Sequence, residues 1–433
     1  MPCPFTILLP TYGSLGDIHP FLAIALELKA RGHQPVLATS QLYRAKIEEL
    51  GIGFHAIAPE MPPTEEWNTA IPRLMDGKKG TRRLFREIFM PSLRQSYADL
   101  LPAMQEADLT VAHTIVYAAP LCAQALQKKY LSVVLAPLAF WSAYDPPFVA
   151  GVPLMEKLHT NLRAQQMLKR LARKVSLRWV REVGRFRAEL GLPTDEHPLF
   201  EGSFSPHGVL ALFSKELAAP QPDWPPHTTQ TGYCFYDRKG TLYGDDRYIG
   251  SLAYDIETFL QQGDEPVIFT LGSAAVFDAR NFYIAAVEAM RALNKRAILL
   301  IGNEANRPAN LPQNDGQIAA FEYAPFSELF PRGAAVVHQG GAGTTGQVMR
   351  AGVPSIVMPY SHDQPDHAMR LQRLGVGRTL PRPQYNAATL AGELGTLLGD
   401  ASFALKAREI GARMQKENGT VAAVDVIEKQ LDI

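Results

Sequence analysis

Short apolar runs alternate with amphipathic stretches from the start of the chain. "PFTILLP" is a strand-like run, "TYGSLGDIHP" interrupts it, and "FLAIALELKARG" carries a helical period that stops at Gly32 with Lys29 and Arg31 in its last turn. "HQPVLATS" reads as a second strand, so the opening predicts a βαβ unit and, with it, a doubly wound parallel sheet. "DLTVAHTI" and "LSVVLAPLAF" predict further strands, separated by the helix-like "APLCAQALQKK". Residues 153–190 carry a long helical pattern without a strand signal.

Pro, Thr and Gly gather in "APQPDWPPHTTQTGYCFYDRKG" (219–240), which marks an interdomain linker. Beyond it the alternation restarts with "PVIFTLGS", a helix near 281–294, "RAILLIG", "QIAAFEY", "AAVVHQGG", "TTGQVMRAG" and "PSIVMPY". The predicted architecture is α/β, with two Rossmann-like doubly wound domains in tandem. Domain one spans 1–236 and ends in the Pro-rich linker, domain two spans 237–415, and a C-terminal helix at 416–433 packs back on the first.

Composition narrows the partners. The 433 residues hold 43 Lys and Arg against 43 Asp and Glu, so the whole chain has no charge that would draw nucleic acid. Three cysteines, Cys3, Cys122 and Cys234, are scattered without CxxC or zinc spacing, which fits a reducing compartment. "MPCPFTILLPTYGS" lacks a basic leader region, and no apolar run reaches the roughly eighteen residues a membrane span needs. The expectation is a cytoplasmic protein. Charge is uneven locally: 157–187 holds ten Lys or Arg and one acid, Glu182. That stretch is either a solvated basic helix face or a surface for weak peripheral contact with anionic lipid or an acidic acceptor.

"AAVVHQGGAGTTGQVMRAG" reads as a strand, a glycine loop and a helix ending near Gly352. A helix N-terminus offers free N–H donors and a positive dipole end, and glycines let backbone close on a phosphate. Thr344 and Thr345 add hydroxyl donors. The spacing matches neither the P-loop nor the GxGxxG fingerprint, so from these residues alone the loop is either an anion cradle or a tight strand–helix packing. One strand later, "SHDQPDH" gathers polar groups at a strand's carboxyl end, where open α/β sheets bind ligands; Asp363 and Gln364 there suit sugar hydroxyls.

"FEYAPFSELFPRGAAVVHQGGAGTTGQVMRAGVPSIVMPYSHDQPDHAMRL" resembles the donor-binding signature of the UDP-glycosyltransferase superfamily, and "TYGSLGDIHPFLAIALELKARGH" looks like the opening of its bacterial and sterol-type branch. Likeness to the rhamnosyltransferases of rhamnolipid synthesis extends through "PQPDWPPHTTQTGYCFYD" and "HDQPDHAMRLQRLGVG". The resemblance implies the GT-B fold, two Rossmann-like domains facing one cleft. It implies that His338 meets a diphosphate cradled by Gly340, Gly341, Gly343 and Thr344, that Asp363 and Gln364 bind the sugar ring, that Tyr323 stacks on the nucleobase and that Ser273 lies near the phosphates. Two positions depart from the plant members: Gly346 stands in place of the ribose-binding glutamate, and Phe326 in place of a glutamine near the base. The absence of that glutamate does not decide between UDP and dTDP, and Phe326 leaves the contacts to the base open.

The same resemblance places a general base on the "GSLGDIHP" loop, at Asp17. Read on its own, Asp17 also suits a helix N-cap, with Pro20 in the first turn. His19 is the alternative base, and His113 falls where plant enzymes keep the aspartate that orients their catalytic histidine. The implied reaction is metal-independent displacement with inversion, from a nucleotide-sugar co-substrate to a lipophilic hydroxylated acceptor. Trp67, Phe89, Met90, Phe140, Trp141 and Tyr144 are candidates for the acceptor lining, with core packing as the other reading. UDP-glucose is the favoured donor because it is commonest in the superfamily. The alternatives are a dTDP-rhamnose-dependent rhamnosyltransferase acting on a hydroxy fatty acid, and a non-catalytic sugar-nucleotide-binding protein. "GDDRY" at 244–248 reads as a turn, not a metal site.

Overall fold

The first predicted βαβ step forms as strand Thr6–Pro10 (β1), helix Leu15–Ala30 (α1) and strand Gln34–Thr39 (β2). It comes from a computed structural model of the chain, which describes residues 4–63, 66–149, 158–236, 254–309 and 311–431. Strands Gly53–Ala56 (β3), Leu109–His113 (β4), Tyr130–Val134 (β5), Val209–Ala211 (β6) and Thr228–Gln230 (β7) complete one parallel sheet, ordered β3-β2-β1-β4-β5-β6-β7. Strands Val267–Thr270 (β8), Ala297–Leu300 (β9), Ile318–Phe321 (β10), Ala335–His338 (β11), Ser355–Val357 (β12) and Gly377–Thr379 (β13) form a second, ordered β10-β9-β8-β11-β12-β13. The central strands read as unbroken apolar runs because a parallel sheet covered by helices buries both faces. Leu8, Leu9, Val111, Val133, Ile268 and Val336 are all at most 1% exposed.

Besides α1, the helices that matter below are Trp67–Leu74 (α2), Leu162–Ser176 (α3), Ala342–Ala351 (α4), Gln364–Leu374 (α5) and Gly419–Gln430 (α6). Contacts divide the chain into two units, each with its own sheet. Unit 1 takes the described residues of Met1–Thr64, Lys78–Tyr236 and Glu417–Ile433; unit 2 takes those of Glu65–Gly77 and Asp237–Lys416. In unit 1, Ile18, Phe21, Leu22 and Leu28 of α1 share a core with Ala423, Val424 and Ile427 of α6. Burying an aliphatic side chain of this size contributes roughly 1.5–3 kcal/mol. Arg31 fixes the register of the two helices, donating to Asp425 and Glu428 at 2.7 Å each.

Three sequence expectations change. Segment 65–77, read as part of the first domain, belongs to unit 2. The Pro-rich 219–240 stretch is not all linker: its Thr-rich middle forms β7, an edge strand, which is where flanking prolines are tolerated. The long helical pattern over 153–190 is split into α3 and a second helix at Arg181–Glu189. The "GDDRY" turn lies outside the described residues, as do 237–240 and Cys3.

Candidate functional site

In unit 2, β11 ends on His338, which is fully buried. Gly340 follows at φ +88°, where a Cβ would sit 2.8 Å from Val357 Cγ1 and 3.1 Å from the Gln364 carbonyl. Glycine is needed there by both conformation and packing. Gly341 is the N-cap of α4 and provides no side-chain cap, so the helix begins with unsatisfied N–H donors. Gly343, one residue into the first turn, is different: a Cβ on it meets nothing within 4 Å. One glycine makes the loop pack; the other leaves the helix start open.

His338 Nδ1 accepts from the Gly340 N–H at 3.1 Å, which places the proton of the neutral ring on Nε2. That Nε2 is buried without a partner. Burial, and secondarily the neighbouring His367, push the His338 pKa down to about 3, so the ring is a neutral donor at pH 7. Ser273 lies half-buried in the short helix Gly272–Ala275 after β8, and Tyr323 half-buried in the loop after β10.

The β12–α5 loop carries the second set of groups. Gln364 Oε1 accepts from the Tyr360 N–H at 2.9 Å, which orients the amide and leaves its Nε2 donors for a ligand. Asp363 is half-buried, with Oδ2 3.7 Å from His367 Nδ1. His367 itself donates from Nδ1 to the Gly340 carbonyl at 2.7 Å, tying the start of α5 to the glycine loop. His362 sits in the left-handed region at φ +60°, a costly conformation for a residue with a Cβ. Its ring pairs with the backbone of Leu74 in α2, and burial holds its pKa below the ordinary value. Met75 Sδ accepts from Ser361 Oγ at 3.8 Å, and Trp67 lies edge-on to Phe277 at 4.8 Å. The 65–77 segment is thus built against the two loops that carry Ser273 and Asp363. His362 and His367 were not singled out in the sequence; the i, i+4 spacing of Asp363 and His367 was the available signal for the latter.

In unit 1, Asp17 is not the N-cap. Ser14 caps α1, and Asp17 is the third helical residue of a capping box, its Oδ2 accepting from the Ser14 N–H at 2.8 Å and the Ser14 hydroxyl at 3.3 Å. Gly13, at φ +127°, leaves the space that the Asp17 carboxylate fills. His113 ends β4 and is 5% exposed; its Nδ1 lies 3.3 Å from Thr11 Oγ1. Thr11 Oγ1 in turn donates to the Asp17 main-chain carbonyl at 3.3 Å. The link from His113 therefore reaches the backbone of Asp17 through Thr11, not its carboxylate. His19 is half-buried, edge-on to Tyr236 at 5.2 Å, and burial lowers its pKa to about 4.

The acceptor candidates are divided between the two units. Trp67 is in unit 2, 3% exposed. Phe89 and Met90 are buried in the unit 1 core, Phe89 edge-on to Tyr12 at 5.6 Å. Phe140 is buried and stacked on Trp224 at 4.4 Å. Trp141 is half-buried 5.7 Å from Phe200, and Tyr144 is 50% exposed. Core packing accounts for Phe89, Met90 and Phe140.

His113 and His338, whose pKa values both fall from 6.5 to about 3, set an acid limit on the fold. Below pH 6.5 the unfolded chain binds these protons and the folded chain does not, so stability is full above 6.5 and declines as pH falls toward 3. Each histidine contributes a slope of about 1.4 kcal/mol per pH unit, and the pair about 3 kcal/mol one unit below 6.5. Urea midpoints measured above and below pH 6.5 check this; because His19, lowered to about 4, adds its own share of the slope, His113→Gln should remove about a third of it. A midpoint flat across that window would mean that both rings protonate in place.

The chain is similar to known glycosyltransferases. Residues 7–127 match the family model of the glycosyltransferase family 28 N-terminal domain, and residues 286–428 match that of the erythromycin biosynthesis protein CIII-like C-terminal domain. O-mycaminosyltylonolide 6-deoxyallosyltransferase of Streptomyces fradiae is 31% identical over 98% of this chain and 97% of its own length. Sterol 3-beta-glucosyltransferase of Leptosphaeria maculans is 27% identical over all of this chain, which spans only 29% of that relative. Among solved structures, the glycosyltransferase SsfS6 of Streptomyces sp. SF2575, complexed with thymidine diphosphate, superposes with a TM-score of 0.61 at 18% identity, over 98% of this chain and 99% of that one.

Proposed function

The chain belongs to the UDP-glycosyltransferase superfamily and is a glycosyltransferase of GT-B fold; from that premise we propose that it transfers a hexose from a nucleoside diphosphate, with inversion, to a hydroxyl of a lipophilic small molecule. One observation carries the reading. An uncapped helix start with open space at Gly343 follows a buried histidine whose Nε2 has no partner. Free N–H donors and a neutral N–H donor on one short loop suit a diphosphate.

In the proposed reaction the acceptor oxygen bonds to the anomeric carbon as the bond from that carbon to the diphosphate oxygen breaks. The acceptor proton passes to the Asp17 carboxylate, and the charge left on the diphosphate is met by the first-turn N–H groups of α4 and by His338 Nε2. Asp363 and the Gln364 amide hold the sugar hydroxyls, Tyr323 stacks on the base and Ser273 adds a phosphate contact. Relatives named for O-mycaminosyltylonolide and for sterol support a lipophilic acceptor.

UDP-glucose is the first donor reading. A dTDP-linked 6-deoxyhexose such as rhamnose is the second, supported by the 6-deoxyallosyl relative and by the thymidine diphosphate held by SsfS6. Product mass after incubation with each donor and a pool of sterols, hydroxy fatty acids and phenols separates them. A hexose or deoxyhexose increment identifies donor and acceptor together. Nucleotide binding without any adduct would overturn the reading.

A further inference from the structure

Helix α3 has its charged groups arranged by side. Asn161 caps its start, accepting from the Ala164 N–H at 3.1 Å, and Gln165 and Ser176 mark the face turned inward. Cations toward that inner side are paired: Lys169 with Asp223 at 3.3 Å, and Arg173 with Glu201. The opposite face is apolar and bare. Met167, Leu171 and Val175, four residues apart and therefore on one strip, are 68%, 53% and 49% exposed. Beside that strip run Arg163, Arg170 and Lys174, all exposed, and none meets a carboxylate among the described residues.

An exposed aliphatic strip keeps about 0.8 kcal/mol per CH₂ unrealised until something apolar covers it. The flanking charges select what covers it. Three unpaired cations along one edge of an apolar strip fit a surface that is anionic at the level of the headgroups and apolar just beneath. The balanced charge of the whole chain, 43 against 43, does not explain this local excess.

We propose that α3 is a peripheral membrane-docking surface, lying in the plane of an anionic bilayer with Met167, Leu171 and Val175 in the acyl boundary and Arg163, Arg170 and Lys174 on lipid phosphates. This goes beyond sugar transfer and does not depend on it. No helix among the described residues is long and apolar enough to cross a membrane, so the contact is one of lying on the surface.

The test uses the full chain and vesicles of either phosphatidylcholine alone or phosphatidylcholine mixed with phosphatidylglycerol. Sedimentation with the mixed vesicles, and not with the neutral ones, is expected. Combining Arg163→Gln, Arg170→Gln and Lys174→Gln should weaken that association on the order of a hundredfold, at about fivefold per cation. Met167→Ser, Leu171→Ser and Val175→Ser together should weaken it at least roughly tenfold although every charge is kept. All six side chains point to solvent, so unchanged melting temperatures show that both variants fold. No association with the mixed vesicles, or association that both variants retain, overturns the proposal. Variants that keep vesicle binding but turn a dimer into a monomer in size-exclusion chromatography would assign the face to a second copy of the chain instead.

Discussion

Asp17→Asn is expected to lower transfer turnover roughly a hundred- to ten-thousand-fold while fold and nucleotide affinity persist. The side chain does two jobs. Its Oδ2 closes the capping box on Ser14, and its carboxylate is the proposed acceptor of the substrate proton. Asparagine keeps an oxygen for the Ser14 N–H, so the cap loses no more than about 1 kcal/mol, but an amide takes no proton. Asp17→Ala removes both functions and should lower the denaturation midpoint as well. Single-turnover rates, melting curves and nucleotide titration on the two variants separate the roles. Full turnover in Asp17→Asn would move the base elsewhere. His19 would then be the first candidate, because His113 is engaged by Thr11.

Gly343→Asp is expected to leave the fold as stable as before, or more so, and to abolish nucleotide binding. An aspartate in the first turn of α4 faces open space and interacts favourably with the helix dipole by about 0.3–1 kcal/mol. The same carboxylate would stand where the diphosphate is proposed to bind, and like charges should weaken binding by at least about a hundredfold, or ~2.7 kcal/mol. Gly340→Ala should do the reverse in order of cause. With φ at +88° and Val357 and Gln364 in the way, it damages the loop first and binding only as a consequence. Calorimetric melting and titration with UDP and dTDP distinguish the two. An intact nucleotide affinity in Gly343→Asp would rule out the start of α4 as the phosphate site.

Both βα series were legible in the sequence because strand and helix periods are local properties. Gly32 and Gly352 mark helix ends that a reader can place without a partner in view. The glycine loop and the Asp363–Gln364 pair could be placed between a strand and a helix for the same reason. What each glycine does was not. Gly340 and Gly343 look alike in the sequence, and only the positions of Val357 and Gln364 show that one packs while the other stays open. Trp67 was placed with the wrong domain because its partner, Phe277, lies far along the chain. Arg31 meeting Glu428 is a distant pairing of the same kind. β7 was hidden by the prolines around it, since a three-residue edge strand carries too little pattern to compete with a turn signal.

The assignment of Glu65–Gly77 to unit 2 and of Glu417–Ile433 to unit 1 constrains how hybrids of this protein can be made. A chimera spliced once near the Pro-rich stretch would pair α2 with a foreign Phe277 position and α6 with a foreign α1. Its two cores would each be stitched from mismatched parents. Exchange of sugar preference between relatives therefore calls for a graft that carries residues 65–77 along with the half that holds the proposed donor site and leaves α6 with the parent that supplies α1.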